Sequence, residues 1–553
     1  MMRARSLWRC LIVACCALTT TFALAAKNDV KSTPKPLGKL LPAEKSVAEV
    51  IDHYVDARLA AEKISPAEQI DDVNYIRRVT LDLVGRTPTP PEVRDFVDSK
   101  VKDKREQLVD RLLASPEFVD QQVNEFDWMI SEGKGNLRGY LADAFRTGRS
   151  WDRIFRDLML ADDEALKQKG ATDFLKTRMK DQDRLTNDVS TLFFGVNISC
   201  AQCHDHPLVD DWKQGHFYGF KSFFNRTFEN GDFLGERDYG LVSYQTPKGE
   251  QRQAELMFLS GRKVSEPEAK EPDGKAKKAE QDELKKLMEK KQPPPAPKFS
   301  RRAALVETAL VAEERPRFAK SIVNRIWYRL LGRGLVMPID QMHSANPPSH
   351  PELLEWLARD TAEHDFEFRR LMRGIVLSKA YSRSSRWDKA DRPAPETFAV
   401  ANVRPLTPTQ YGASLRIATT DPELWGTLKS DDDRANRAKG IASSGRSWAA
   451  SFAAPSDDFQ VNVTEALMLA NDPRVESDLL AEGGDRLVSR LLKTDNPATA
   501  TELAFTTILN RAPDAEEQAT VTGYLNERRD RLPQAVRQIV WSLLTGSEMR
   551  FNY

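Results

Sequence analysis

The sequence predicts a mainly α fold: two helical domains with a small β-containing insertion and a charged, Pro-rich linker between them. Three observations carry this reading. Apolar residues recur at helical spacing through most of the chain. Abrupt helix starts are written as capping boxes at Ser65-Pro66-Ala67-Glu68, Thr89-Pro90-Pro91-Glu92 and Thr407-Pro408-Thr409-Gln410, each with a hydroxyl at the cap, a proline where no amide hydrogen is needed, and an acid or amide that reaches back. One stretch, 265–298, is dominated by Lys, Glu, Ala and Pro and buries too little apolar surface to fold by itself.

In chain order, residues 1–26 read as a signal peptide. Arg3, Arg5 and Arg9 form its basic start, Cys10 to Leu24 its apolar core, and Ala23-Leu24-Ala25 or Ala25-Ala26 its cleavage signal. The apolar run is shorter than the roughly 20 residues a spanning helix needs and is broken by Thr19-Thr20-Thr21; no later segment is apolar enough to cross a bilayer, so no transmembrane segment is expected after removal. Ile12-Val13-Ala14-Cys15 has the form of a lipoprotein box, yet the apolar stretch runs on past the cysteine, which makes lipidation the lesser alternative. The expected location is periplasmic or cell-envelope. Residues 27–46 are expected to be a flexible leader, 47–244 a helical domain, 245–264 a short β-rich segment marked by Leu241-Val-Ser-Tyr and Leu256-Met-Phe-Leu, 265–298 a linker or charged solvated helix, and 299–553 a second helical domain.

An internal repeat supports this division. Leu83-Val-Gly-Arg86-Thr-Pro88-Thr-Pro-Pro-Glu92, followed by Leu112-Leu113-Ala-Ser-Pro-Glu117-Phe118, recurs as Leu509-Asn-Arg511-Ala-Pro513-Asp-Ala-Glu-Glu517, followed by Leu543-Leu544-Thr-Gly-Ser-Glu548-Met549. Two similar helix-loop-helix modules are expected, one in each half, at a separation too long for a solenoid.

With 82 basic and 82 acidic residues the net charge is zero, which argues against nucleic acid as a partner. Of five cysteines, three lie in the signal peptide, which argues against a disulfide scaffold, so packed cores must stabilise the chain. The two that remain stand in Cys200-Ala201-Gln202-Cys203-His204, the pattern for covalent haem attachment. Thiols one turn apart can add to the two vinyl groups while the adjacent imidazole reaches the iron. In this reading Cys200 and Cys203 tether haem c and His204 is the axial ligand. His206 lies too close along the chain for the opposite face, and Met179, His216, Met257, Met342, His343 and His350 are the candidates for a distal ligand.

The same residues admit two other readings. Cys200, Cys203, His206 and His216 offer two thiolates and two imidazoles to zinc, and Cys200 with Cys203 can form a disulfide in an oxidising compartment. Trp212, Phe217, Tyr218, Phe220, Phe223 and Phe224 read as core before they read as porphyrin lining. Asp205, Asp210 and Asp211 either tune a ligand imidazole or form a solvated loop. His350 reads as structural, ahead of a helix capped by Ser349 and Glu352. Leu331-Gly-Arg-Gly-Leu335 lacks the context of a phosphate loop, and neither a hydrolase triad nor a nucleophile elbow is visible.

The phrases Arg77-Arg-Val-Thr-Leu-Asp-Leu-Val-Gly-Arg-Thr-Pro88, Lys104-Arg-Glu-Gln-Leu-Val-Asp-Arg-Leu-Leu-Ala-Ser-Pro-Glu-Phe118, Cys200-Ala-Gln-Cys-His-Asp-His-Pro207 and Phe217-Tyr-Gly-Phe-Lys-Ser-Phe-Phe224 resemble the planctomycete cytochrome-like domain of unknown function. Asn324-Arg-Ile-Trp327, Leu331-Gly-Arg-Gly-Leu335, Asn346-Pro-Pro-Ser-His-Pro-Glu-Leu-Leu-Glu-Trp-Leu357 and Trp541-Ser-Leu-Leu-Thr-Gly-Ser-Glu-Met-Arg-Phe-Asn552 resemble the planctomycete-specific domain that usually follows it. Where that second family often has Asn-Asp-Pro-Phe, this chain has Asn471-Asp472-Pro473-Arg474. The resemblance implies an exported, haem-related protein of undetermined activity. The expectation is therefore an exported c-type-haem protein in electron transfer or a haem-linked redox step, with a redox or envelope protein as partner; whether it is an enzyme stays open. The alternative is a non-enzymatic envelope interaction or structural protein whose Cys/His motif binds zinc or forms a disulfide.

Overall fold

The computed structural model describes residues 38–160, 168–206, 209–268, 270–454 and 463–553. Helix makes up 57% and strand 5%, so the mainly α expectation holds. The first helices are α1 Val47–Glu62, α2 Asp72–Val84, α3 Pro90–Asp98, α4 Lys104–Ala114, α5 Pro116–Ser131, α6 Leu137–Arg146, α7 Trp151–Leu160, α8 Asp173–Lys176, α9 Gln182–Phe194 and α10 Gln214–Lys221. Then come α11 Gly274–Glu289, α12 Arg301–Leu310, α13 Arg315–Leu331, α14 Pro351–Glu363 and α15 Phe368–Val376. Gly38–Tyr553 forms one compact unit.

Two large apolar cores and a small third cluster of Ile417, Trp425, Ala438 and Ile441 fill that unit, and the two large ones meet at a different place from the charged linker. The first gathers residues from Val47 to Val400, so α12 to α15 pack into it beside α1, α7 and α9. Its centre is aromatic: Phe155 lies 4.7 Å from Phe193 and 5.2 Å from Phe318, and Trp151 lies 5.3 Å from Phe193 and 5.9 Å from Phe368. Rings from both sides of the linker thus share one cluster, each contributing about 1.5–3 kcal/mol of burial. The second core runs from Leu406 to Met549 and takes one residue of α2, Leu81.

Local chemistry explains several helix starts. Glu92 Oε2 accepts from the Thr89 N–H at 2.7 Å, and Gln410 Oε1 from the Thr407 N–H at 2.9 Å, as the boxes predicted. Ser65-Pro66-Ala67-Glu68 is a correction, because it starts no helix. There the backbone is extended and bonded elsewhere, Ala67 N–H to Ala399 O at 2.8 Å and Ser384 N–H to Glu68 O at 2.7 Å, and α2 is capped instead by Asp71.

Strands also fall partly outside the expected segment. Thr227–Asn230 (β1) pairs with Phe233–Glu236 (β2), and Ser243–Gln245 (β3) with Gln251–Gln253 (β4). The first hairpin turns at Gly231-Asp232, the two residues between the paired Asn230 and Phe233, with Gly231 at φ 64°, and Gly-Asp is a two-residue hairpin signal. Gly235 has no side chain because the Phe228 ring lies 2.4 Å from where its Cβ would stand. The charged stretch carries α11, which is solvated except at Leu284; Asn230 Nδ2 donates to Leu284 O at 3.1 Å. The leader expected to be flexible is fixed from residue 38: Trp356 Nε1 and Arg359 both donate to Leu41 O at 3.0 Å. Its earlier residues, like the signal peptide, lie outside the described residues.

The repeat appears atom for atom. Arg86 donates to Glu117 Oε1 at 2.8 Å and Oε2 at 3.1 Å, and to Glu92 Oε2 at 2.8 Å and Oε1 at 3.0 Å. Past the first core, α22 Pro497–Ile508, α23 Ala515–Glu527, α24 Leu532–Thr545 and α25 Ser547–Arg550 follow α16 Pro408–Ala418, α17 Leu424–Thr427, α18 Asp431–Ser444, α19 Arg446–Ala449, α20 Val463–Asn471 and α21 Leu487–Leu492. There Arg511 donates to Glu548 at 2.7 and 2.8 Å and to Glu517 at 2.7 and 2.8 Å. Each arginine therefore binds two carboxylates bidentately, the strongest geometry open to it.

Burial alone would raise the Glu92 carboxyl, but Arg86 and the Thr89 N–H hold it down to about 2; Arg511 does the same for Glu517, to about 2. Both groups sit below the ordinary value of 4.5, so their stabilisation is complete above that pH and is lost as pH falls towards 2. Burial, with Arg58 and Arg383 nearby, pushes His350 down from 6.5 to about 3, so unfolding takes up a proton there below pH 6.5. Thermal melting between pH 7 and pH 3 should show Tm falling in both windows, and His350→Leu should flatten only the upper one.

Candidate functional site

The motif sits on a 3₁₀ turn, Ser199–Gln202, just past the end of α9. Gly195 ends that helix at φ 65°, and Met342 packs where a side chain would stand, its Sδ 2.7 Å from an ideal Cβ. The Asn197 N–H then donates to Asp340 O at 2.7 Å, and Asn187 Oδ1 accepts the Ile198 N–H at 3.2 Å. Ile198 and Ala201 are fully buried, and this alternation turns Cys200, Cys203 and His204 outward.

Both residues between the cysteines act as anchors. Ala201 plugs the core, and Gln202 Nε2 donates to Asp183 Oδ2 at 2.8 Å on α9. The Gln214 side chain, 5% exposed, donates to three carbonyls: Gln202 at 3.3 Å, Cys203 at 3.2 Å and Gln245 at 3.0 Å. Its N–H is bound by Asp205 Oδ1 at 2.9 Å. The turn is thus rigid beneath and open above.

Both thiols are free and exposed. His204 Nδ1 lies 2.7 Å from Asp205 O. A carbonyl only accepts, so Nδ1 carries the hydrogen and Nε2 presents its lone pair, the tautomer a metal-binding imidazole needs. Two available thiols and a ligand-ready imidazole fit covalent haem. The fit would place the macrocycle at the surface, and the protein's contribution would be the two sulfurs and one Nε2.

The zinc set does not assemble. Among the described residues no three His, Cys, Asp or Glu side chains converge to hold a metal ion. His216 Nδ1 accepts the Lys213 N–H at 3.1 Å, and its Nε2 lies 3.4 Å from the Cβ position of Gly261; His206 is turned to His343, ring centroids 6.4 Å apart. Two imidazoles are therefore committed away from the thiols.

The other candidates have structural places. Met179 and Met342 pack against the first core, Met257 lies over Gly219, and His343 Nδ1 is buried beside His206. His350 is 4% exposed and stands 5.5 Å from the Phe398 ring. Its expected box with Ser349 and Glu352 does not form, because Glu352 instead accepts the Gly38 N–H at 3.1 Å. Asp211 accepts the Ser344 N–H at 2.9 Å, so it and Asp205 serve the backbone, while Asp210 is exposed. Phe217, Phe220, Phe223 and Phe224 are core residues at 0–1% exposure, and Trp212 is buried under the Arg317 guanidinium at 5.5 Å. Gly332 only ends α13, at φ 75°.

Sequence reasoning missed Gln214 and Tyr244. Tyr244 stacks on Tyr218 with centroids 4.4 Å apart and planes 5° from parallel. Lys221 stands over Tyr218 at 5.9 Å and pairs with Asp183 at 2.6 Å, closing a ring of contacts around the motif.

Two families match in tandem. Residues 50–229 match PSCyt2, a protein of unknown function (DUF1549), and residues 301–427 match PSD1, a protein of unknown function (DUF1553). The first match contains the motif and the first copy of the arginine repeat; the second copy lies beyond both. No curated protein and no solved structure matches the chain.

Proposed function

We propose that this chain is an exported protein that carries one covalently attached haem at Cys200 and Cys203, with His204 as axial ligand, and that it passes electrons to a protein partner. The observation that carries the reading is the outward presentation of two free thiols and an imidazole whose Nδ1 is fixed by Asp205 O, leaving Nε2 as the available donor. A bound haem supplies reversible one-electron chemistry. The chain's own residues do the rest: Ala201 and Gln202 hold the turn, Gln214 ties it to α10 and the hairpin, and Asp205 sets the imidazole tautomer. Exposure of the site suits exchange with a partner at the surface. Support for export comes from the basic and apolar N-terminus, outside the described residues.

The test is production in a host that matures c-type cytochromes. The expected result is a Soret band whose haem stays attached after denaturation, and its complete loss in Cys203→Ala. Colourless protein with stoichiometric zinc, or with both thiols oxidised to a disulfide, would overturn the proposal.

A further inference from the structure

We infer that Tyr244, on the β3–β4 hairpin, is the side wall of the tether site, the surface against which a flat group bonded to Cys200 and Cys203 packs, and that Gln214 is the positioning residue that fixes this wall to the motif. This rests on the haem reading for the identity of the flat group, but not for the wall itself.

The hairpin has little reason of its own to sit where it does. Apart from half-buried Tyr244, the residues of β3 and β4 are exposed, so it has no apolar face to bury. Beyond buried Val242, just before β3, what ties it to the motif is polar and local. Gln214 Nε2 donates to Gln245 O, the residue after Tyr244, and to Cys203 O, so one amide bridges the hairpin and the second cysteine. Gly215, next along α10, lies beside the Tyr244 hydroxyl, which is 3.5 Å from its Cβ position, an ordinary contact distance. Tyr244 lies flat on Tyr218, and both rings are half-buried. Stacking at 4.4 Å commits one face of Tyr244 to Tyr218, so a flat group packing on Tyr244 must use the other.

Such an arrangement is what a planar apolar ligand at an exposed tether requires. The thioether bonds fix two edges of the ligand but cover neither face, and aromatic rings supply contact area at low entropic cost. Gln214 is the sensitive part of the device, since an amide buried among three carbonyls has no shorter or apolar substitute.

The experiment compares Tyr244→Ala, Tyr244→Phe and Gln214→Leu with the unaltered chain in two preparations. In haem-free, reduced protein, alkylation of Cys203 by a bulky planar maleimide should accelerate roughly fivefold or more in Tyr244→Ala and in Gln214→Leu, because thiol reactivity follows access. Tyr244→Phe, which keeps the ring, should stay within about twofold of the parent. In protein matured with haem, Tyr244→Ala should shift the midpoint potential and the Soret circular dichroism, and Tyr244→Phe should restore both. Unchanged alkylation in Tyr244→Ala, or failure of Tyr244→Phe to rescue, overturns the wall. Tyr244 lies on an exposed hairpin, so its variants fold even if Gln214→Leu does not. A chain that takes up no haem yet shows the alkylation pattern overturns the haem reading alone.

Discussion

Arg86→Ala is expected to destabilise the chain by about 3–5 kcal/mol, the usual cost of removing one partner from a buried ion cluster. Arg86 is 1% exposed, and all of its strong bonds go to Glu92 and Glu117 or to the Thr87 carbonyl. Without it two carboxylates face each other with side chains only 22% and 10% exposed, and neither has another cation bound to it at short range. Arg511→Ala breaks the same four bonds, but its side chain is 28% exposed. Solvent then replaces part of what is lost, and the expected cost is nearer 1.5–3 kcal/mol, that of hydrogen bonds to charged groups. The two sites thus hold chemistry constant and vary burial. Denaturant unfolding of both variants decides the point: equal losses would show that burial does not set the worth of the cluster. Arg86→Lys should recover little, since an ammonium cannot serve two carboxylates bidentately.

The repeat was legible because its signal is covalent spacing: Arg, Pro and Glu keep their distances in both copies, and the guanidinium geometry follows. Even the backbone agrees, with Gly85 at φ 77° matched by Asn510 at φ 63°. Asn is one of the few residues besides Gly that adopts this conformation readily. The first hairpin was equally local, but its Gly231-Asp232 signal is a turn and not an alternation of apolar residues, so a search by alternation passes over it. What could not be read was long-range. Nothing in the charged composition of 265–298 distinguishes a free linker from one that forms α11 and is pinned at Leu284. Nothing in the first half announces that α12 to α15 complete its core. At the site the triad Cys200, Cys203 and His204 was visible as a motif, and its outward orientation follows from Ile198 and Ala201. Gln214 and Tyr244 were invisible because their roles exist only once residues 11 and 31 positions apart are brought together. The zinc set failed for a related reason: sequence order cannot show that His216 is spent on a helix cap.

The other large effect is expected at Asp82, and it concerns how the two cores act as one. Asp82 is 5% exposed and accepts four hydrogen bonds from three distant segments: Tyr381 Oη at 2.6 Å, both terminal nitrogens of Arg404 at 2.7 and 2.8 Å, and Asn552 Nδ2 at 3.0 Å. Arg404–Pro405 (β5) pairs with Phe551–Asn552 (β6), so the carboxylate sits under the strand pair that ties the end of the second core to α2. That helix enters both cores, with Val79 and Leu83 in the first and Leu81 in the second. Asp82→Ala strands the Arg404 guanidinium beside buried surface and should cost about 3–5 kcal/mol. Because the loss falls on the junction, it should also separate what the parent unfolds together: tryptophan fluorescence is expected to show one transition in the parent and two in Asp82→Ala, the second core with Trp448 opening first. A cycle with Arg404→Ala should give a coupling of about 0.5–3 kcal/mol, the range for residues in one network. A single transition in Asp82→Ala, merely shifted, would mean that the apolar contacts of α2 suffice to join the cores and that the polar knot adds only stability.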